Sequence, residues 1–321
     1  MKQYNVLTIG GGSGHFVLLS GLRDIKKVSV TAIVSMADSG GSTGRLRDEM
    51  GVLPPGDVLK CLVALSQNRN AARKILQTRF NKNERLKGHN AGNFLLTSLS
   101  RYAGDFSSGV EALGEVLGVR GKVLPVSTDK ATLVAELIDG SMIYGEAAID
   151  IPREKNRKKI KRTFLVPHHC DQIKPYPPVL SEIKKAKCII IGPGDLYGSI
   201  MPNFLVNEIS EAVKSSKAKL IYVCNIMTKY GETDNFSGED FVLAVEKIIK
   251  RKFDVVVFNS AIPDKGILNN YKKQKAELVK APVLEKWGER KIIKKDMLNT
   301  KGDMARHDAE KLKKIIEEVI K

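Results

Sequence analysis

Between residues 37 and 57 the chain reads ADSGGSTGRLRDEMGVLPPGD, directly after the apolar stretch VSVTAIVSM. Small residues, hydroxyls, acids and two arginines crowd into one connection, a mixture suited to holding phosphate. Glycines let backbone N–H groups come close, and Arg45 and Arg47 can fork onto phosphate oxygens. Asp38 stands just past an apolar strand, where doubly wound nucleotide binders set an acid against a ribose. Gly40, Gly41, Ser42 and Thr43 add close approach and hydroxyls. Asp57 follows Pro-Pro-Gly at the expected N-cap of VLKCLVALS, where capping alone would account for it as well as a ligand would.

Three further connections carry the same signature. GGGSGH, Gly10 to His15, puts Gly11, Gly12, Ser13 and Gly14 at the start of a helical pattern, where free N–H groups attract phosphate. It is not the dinucleotide fingerprint, because His15 holds the third-glycine position, and no Gly-Lys-Ser/Thr makes it a Walker A loop. KGHNAGNFLL sets Gly88, His89 and Asn90 before a helix; Asn90 reads as a cap, and His89 as a donor to ligand or an acid–base group. The fourth is a pair, GPGDLYGS (192–199) and CNIMTKYGETD (224–234), each directly after an apolar run. Gly192, Gly194, Asp195 and Ser199 stand in the first of these. Asn225, Thr228, Glu232, Thr233 and Asp234 form a polar cluster in the second, too dense for a plain connection. PHHCD at 167–171 imitates a metal site, but neighbouring histidines on a strand point to opposite faces.

These loops need elements that bring them together. YNVLTIG, VSVTAIVSM, AKCIII, KLIYVC and FDVVVF are β-branched runs of the kind found in parallel strands buried on both faces. Helical spacing separates them: HFVLLSGLRDI, GDVLKCLVALSQ, AARKILQTRF, NAGNFLLTSLSRYA, SSGVEALGEVLG, NFLVNEISEAVKSS and GEDFVLAVEKIIKR. The rhythm predicts an α/β fold with a doubly wound, mostly parallel, Rossmann-like sheet and helices on both faces, as a single domain over 1–321. Residues 122–166 break the rhythm. TLVAELIDGSMIYGEAAID alternates about Asp139-Gly140 and predicts a small antiparallel β insertion within that domain. Ligand loops of such sheets lie beyond the strand C-termini, where all four connections fall.

The bulk properties narrow the class of protein. The chain has 321 residues, 42% hydrophobic and 28% charged, with a formal net charge of +17. No apolar run reaches the roughly 20 residues that span a bilayer. The opening MKQYNVLTIGGG enters a strand at once and reads as lacking a signal peptide. Cys61, Cys170, Cys188 and Cys224 form no CxxC pair, so a reduced, cytoplasmic chain is expected. Basic clusters at 153–162, 214–219, 271–275 and 286–295 lie in loops and on polar helix sides, with no RNA-binding aromatic signature interleaved. They read as solvated faces, with nucleic acid an improbable partner and an acidic small ligand favoured.

In order along the chain, IGGGSG, ADSGGSTGRLR, PPGDVLKCLVAL, GHNAGN, VRGKVLPV, TLVAEL, IGPGDLYGSIMPN, VCNIMTKYGETD and ARHD (305–308) resemble the bacterial gluconeogenesis-factor family of YvcK-like proteins. That family is similar in fold to 2-phospho-lactate transferase, CofD-like. The resemblance implies a cytoplasmic regulatory protein that binds UDP-N-acetylglucosamine and is linked to cell shape and wall synthesis. Its partners would be a UDP-sugar or other phosphorylated small molecule, cell-wall synthesis or morphogenesis proteins, and potentially further copies of itself.

The resemblance implies a pocket of Gly11, Gly12, Ser13, Gly14, Asp38, Gly40, Gly41, Ser42, Arg45, Gly88, His89 and Asn90, completed by the loops at 192–199 and 225–234. Arg306, in ARHD, matches a family arginine associated with ligand. No cofactor is required on this reading. The alternative is a Mg²⁺-dependent transferase of a phosphate-linked group, with Asp38 as a candidate metal ligand beside Asp57 or Asp195. The sequence departs from the family pattern at His15, at Ser39 (an aspartate is usual) and at Asp195 (a serine is usual).

Overall fold

The structure, a computed structural model, describes residues 3–40, 53–80, 89–152, 157–283 and 286–320. The β-branched runs become strands because their side chains pack well on both faces of a pleated sheet. They are β1 (Tyr4–Gly10), β2 (Val28–Val34), β3 (Lys122–Pro125), β7 (Cys188–Ile191), β8 (Lys219–Val223) and β9 (Val255–Asn259), with β10 (Lys286–Trp287) and β11 (Arg290–Lys295) at one edge. Together they form an eight-stranded sheet in the order β10-β11-β9-β8-β7-β1-β2-β3. Every pairing in it is parallel except β10 with β11.

The order reverses at β1. The chain steps outward from β1 through β2 to β3, then returns to β7 on the other side of β1 and steps outward again. The register Ile9↔Ile191 closes this central pair at its carboxyl end. A crevice opens where consecutive connections depart to opposite sides, so the β1/β7 boundary is where this sheet can take a ligand. The sheet interior is apolar: Ile9, Ile33, Ile190, Ile221 and Val256 are fully buried. Cys188 and Cys224 pack within it as small hydrophobes, and burial pushes the Cys188 thiol up to about 12.

Residues beyond β3 form the small antiparallel sheet β5-β4-β6, from β4 (Ala131–Leu137), β5 (Met142–Tyr144) and β6 (Ile160–Pro167). Its hairpin turns at Asp139-Gly140, with Leu137 N–H donating to Ser141 O at 2.9 Å. The observed boundaries correct the sequence reading twice. Residues 122–125 pair in parallel with β2 and belong to the large sheet, so the antiparallel part starts at Ala131. GEAAID is not strand: Glu146–Asp150 is a short helix, whose first free N–H groups include Ala147, donating to Ser39 Oγ at 3.0 Å. The small sheet has its own apolar cluster (Leu133, Ala135, Leu137, Ile149 and Ile160 with Ala37), distinct from the main core. No helix among the described residues is long and apolar enough to cross a membrane.

Candidate functional site

The first glycine loop leaves β1 and enters the helix Gly12–Leu22 without an intervening turn. Gly12 has φ +68°, a conformation costly for other residues, and a Cβ on Gly14 would meet the Pro193 carbonyl at 2.6 Å. The second contact shows why a side chain is excluded there: the loops after β1 and β7 touch backbone to backbone. His15 lies beneath this loop, fully buried, with Nε2 2.7 Å from Thr8 Oγ1. Burial lowers its pKa to about 4, so a neutral imidazole serves as an internal hydrogen-bonding group.

Asp57 does not cap its own helix. That helix, Gly56–Leu65, has Pro55 as its N-cap, and Asp57 sits in the first turn. Its Oδ2 instead accepts from Gly12 N–H at 2.9 Å, and its Oδ1 accepts from Lys60 Nζ at 2.8 Å. A carboxylate thus occupies the first N–H of the glycine-loop helix, where the sequence suggested phosphate. Asp38 Oδ1 accepts from Gly40 N–H at 2.9 Å and shapes its own turn. Gly41, Ser42, Arg45 and Gly88 lie outside the described residues. Asn90 is the expected N-cap of helix Ala91–Ala103, accepting from Asn93 N–H at 2.7 Å, and buried His89 packs 5.3 Å from the Phe94 ring.

The fourth pair of loops is where the site converges. Asn225 clasps the neighbouring loop in both directions: Gly194 N–H donates to its Oδ1 at 3.1 Å, and its Nδ2 donates to Gly194 O at 2.9 Å. Thr228 Oγ1 accepts from Glu277 N–H, Thr233 Oγ1 from Lys229 N–H, and Asp234 Oδ2 from Gly231 N–H. These polar residues therefore hold the shape of the 225–234 loop. The side chain they present is one the sequence reading passed over. Lys229 Nζ pairs with Asp150, donates to Asp195 Oδ2 at 2.9 Å and lies 3.1 Å from Glu232 Oε1. Burial opposes its charge, but Glu232, Asp195 and Asp150 outweigh burial and raise its pKa.

A cavity of about 570 Å³ opens at the β1/β7 boundary, within the roughly 300–1,000 Å³ usual for small-ligand sites. Its polar lining includes Gly11–Gly14, Asp150, Gly194, Asp195, Ser199, Asn225 and Lys229. Its apolar lining includes Ile226, Met227, Tyr230, Tyr271, Met304 and Ile151, and exposed Arg306 stands on its rim. Arg306 is exposed and has no carboxylate partner among the described residues; its guanidinium rests 3.4 Å from Met304 Sδ. Beside it, buried His307 meets Cys224 O at 3.2 Å through Nε2. Burial lowers the pKa of His307 to about 4, so the neutral ring donates to that carbonyl. Asp38, Gly40, Asp57, His89, Asn90, Gly192, Glu232, Thr233 and Asp234 do not line this cavity.

Two carboxyls near it resist ionisation. Glu146 is pushed up to about 8 by burial and by Asp38, Asp150 and Asp57; Glu232 is pushed up to about 7 by burial, with Lys229 opposing. Among the described residues no group of three His, Cys, Asp or Glu is placed to hold a metal ion; the three carboxylates that do converge, Asp150, Asp195 and Glu232, surround the Lys229 ammonium. Asp57 and Asp38 both spend oxygens on backbone N–H groups.

A mostly parallel sheet with a glycine loop and a cavity at its reversal point is a Rossmann-like α/β architecture. The family described as 2-phospho-L-lactate transferase CofD matches residues 6–298, and the chain belongs to this family. Within it, the chain groups with bacterial gluconeogenesis factors. It is 42% identical to one from Halalkalibacterium halodurans, over 98% of this chain and 96% of that protein. It is 40% identical to one from Bacillus subtilis, over 100% of this chain and 99% of that protein. A crystal structure from Bacillus halodurans superposes with a TM-score of 0.91 at 40% identity, covering 98% of this chain and 100% of that one.

Proposed function

We propose that this protein is a cytoplasmic regulatory protein that binds a nucleotide sugar, UDP-N-acetylglucosamine, without chemically changing it. The observation that supports this most strongly is the mixed lining of the cavity. Backbone N–H groups and Lys229 in its lining suit a diphosphate, and Met227, Tyr230 and Tyr271 offer apolar surface for a base or sugar face. Arg306 on the rim supplies a second, fork-shaped donor for phosphate oxygens. Bound ligand would report wall-precursor supply to proteins of cell-wall synthesis or cell shape.

The second reading is a transferase of a phosphate-linked group, favoured by the CofD match and by Asp195 in the cavity. Calorimetric titration with UDP-N-acetylglucosamine, with and without Mg²⁺ and with the nucleotide recovered afterwards, separates the two. Saturable binding with intact nucleotide is expected. Mg²⁺-dependent loss of the nucleotide would make the protein an enzyme, and no heat in either condition would overturn the ligand assignment.

A further inference from the structure

The polar lining of the cavity carries an electrostatic contradiction. Lys229 is the cation placed to meet a phosphate there, yet three carboxylates already hold it. Each comes from a different part of the chain. Asp150 ends the short helix of the small-sheet unit, Asp195 opens the turn after β7, and Glu232 belongs to the loop after β8. Asp150 and Asp195 face the cavity, whereas Glu232 is buried behind Lys229 with neither of its oxygens in a hydrogen bond.

One ammonium has three N–H donors but a single charge, and the nearby Arg157 guanidinium is bonded to Ala148 O and Ile149 O, so none of the Lys229 pairings is exclusive. An entering phosphate offers more negative charge and more acceptor oxygens than a single carboxylate, but Asp150 and Asp195 repel it. A single exchange resolves both constraints: Nζ turns to the phosphate, Glu232 remains its anchor from behind, and Asp150 withdraws. We propose that Lys229 binds the phosphate of the ligand by releasing Asp150, so that occupancy of the cavity loosens helix Glu146–Asp150 and the small sheet from the large-sheet body. This rests on the anionic-ligand reading above.

The small sheet is built for such a release. Its fully buried apolar residues form a cluster of their own, joined to the main core through part-buried Leu165, Tyr197 and Ala131, so it can shift with little disturbance of that core. Its polar ties to the large-sheet side include Ser39 Oγ with Ala147 N–H and the Lys229–Asp150 pair. Linkage then fixes a sign: if binding expels Asp150, removing the Asp150 carboxylate must tighten binding by the same factor that ligand loosens the helix.

Hydrogen exchange of the full chain, read on peptides covering 131–150, tests this, with calorimetry on the same samples. In wild type, UDP-N-acetylglucosamine should raise exchange there. Lys229→Met should raise it without ligand and weaken binding at least about tenfold, the scale of one lost charge-assisted contact. Asp150→Asn should also raise ligand-free exchange, while binding becomes tighter. Unchanged 131–150 exchange in both variants would overturn the latch, whatever the ligand proves to be. Wild-type affinity in Lys229→Met, or weaker binding in Asp150→Asn, would overturn the exchange while leaving the nucleotide-sugar reading intact. A wild type that ignores UDP-N-acetylglucosamine would instead defeat that reading. Sodium pyrophosphate then serves as the probe, and failure of pyrophosphate to raise 131–150 exchange would overturn the exchange as well.

Discussion

Two charge clusters in this protein, one buried and one half-exposed at the cavity, look alike in outline and differ in stoichiometry. Arg290 grips Glu246 through two bonds, Nε to Oε1 at 2.7 Å and Nη2 to Oε2 at 2.5 Å, and Phe253 N–H donates to the same Oε1. One cation meets one anion, both are buried, and each carboxylate oxygen is satisfied. Lys229 meets three carboxylates, one of them buried and outside any hydrogen bond. The matched pair ties β11 to the helix Gly238–Ile249 and faces no cavity, whereas the mismatched node lines one. A balanced ion pair has no reason to change partner, but an unbalanced one is poised to do so when a stronger anion arrives.

The largest effect should come from breaking the balanced pair. Arg290→Met leaves Glu246 buried without its cation and should cost about 3–5 kcal/mol in urea unfolding, with ligand affinity per folded molecule kept. Equal losses of affinity and stability would erase the distinction between the clusters. Asn225→Ala removes the two-way clasp on Gly194 and should cost about 1–3 kcal/mol. Calorimetry should show weakened binding as well, because the loops after β7 and β8 would no longer hold one geometry.

The pH response sharpens the same contrast. Glu146 and Glu232 have folded pKa values near 8 and 7, above the ordinary 4.5 of the unfolded chain. The folded state therefore holds the extra proton, and the stability these groups lend is lost as pH rises from about 4.5 through 7 to 8. His15 and His307, lowered to about 4 from 6.5, act oppositely: their contribution is lost as pH falls from 6.5 through 4. Melting temperature against pH should fall above pH 6.5, and Glu146→Gln with Glu232→Gln should flatten that limb. A limb unchanged in the double variant would contradict the assignment. The smallest effect is Ser39→Ala, about 0.5–2 kcal/mol from the lost cap on Ala147, seen as faster exchange confined to 145–150.

Much of this molecule was legible from the chain. Runs such as VSVTAIV and CIII can only be strands buried on both sides, and glycine-rich connections after them place the site at the strand ends. EAAID misled because three apolar residues between two acids fit a short strand or a single helical turn equally well. Asp57 misled because a carboxylate in a first turn can reach a neighbouring helix as easily as its own. His89 and Asn90 carried the right residue types but belong to a helix start away from the cavity. Lys229 was invisible among 53 basic residues, since its significance arises only when Asp150, 79 positions earlier, is folded against it. The one local signal was a single lysine in a connection otherwise rich in acids and hydroxyls.

A crystal structure grown with UDP-N-acetylglucosamine tests the central claim most directly. The account predicts the diphosphate against Gly11–Gly14, the uridine or sugar along Met227 and Tyr271, and Lys229 Nζ within hydrogen-bond distance of a phosphate oxygen with Asp150 displaced. A ligand bound elsewhere, or bound in this cavity with Lys229 still on Asp150, would contradict it.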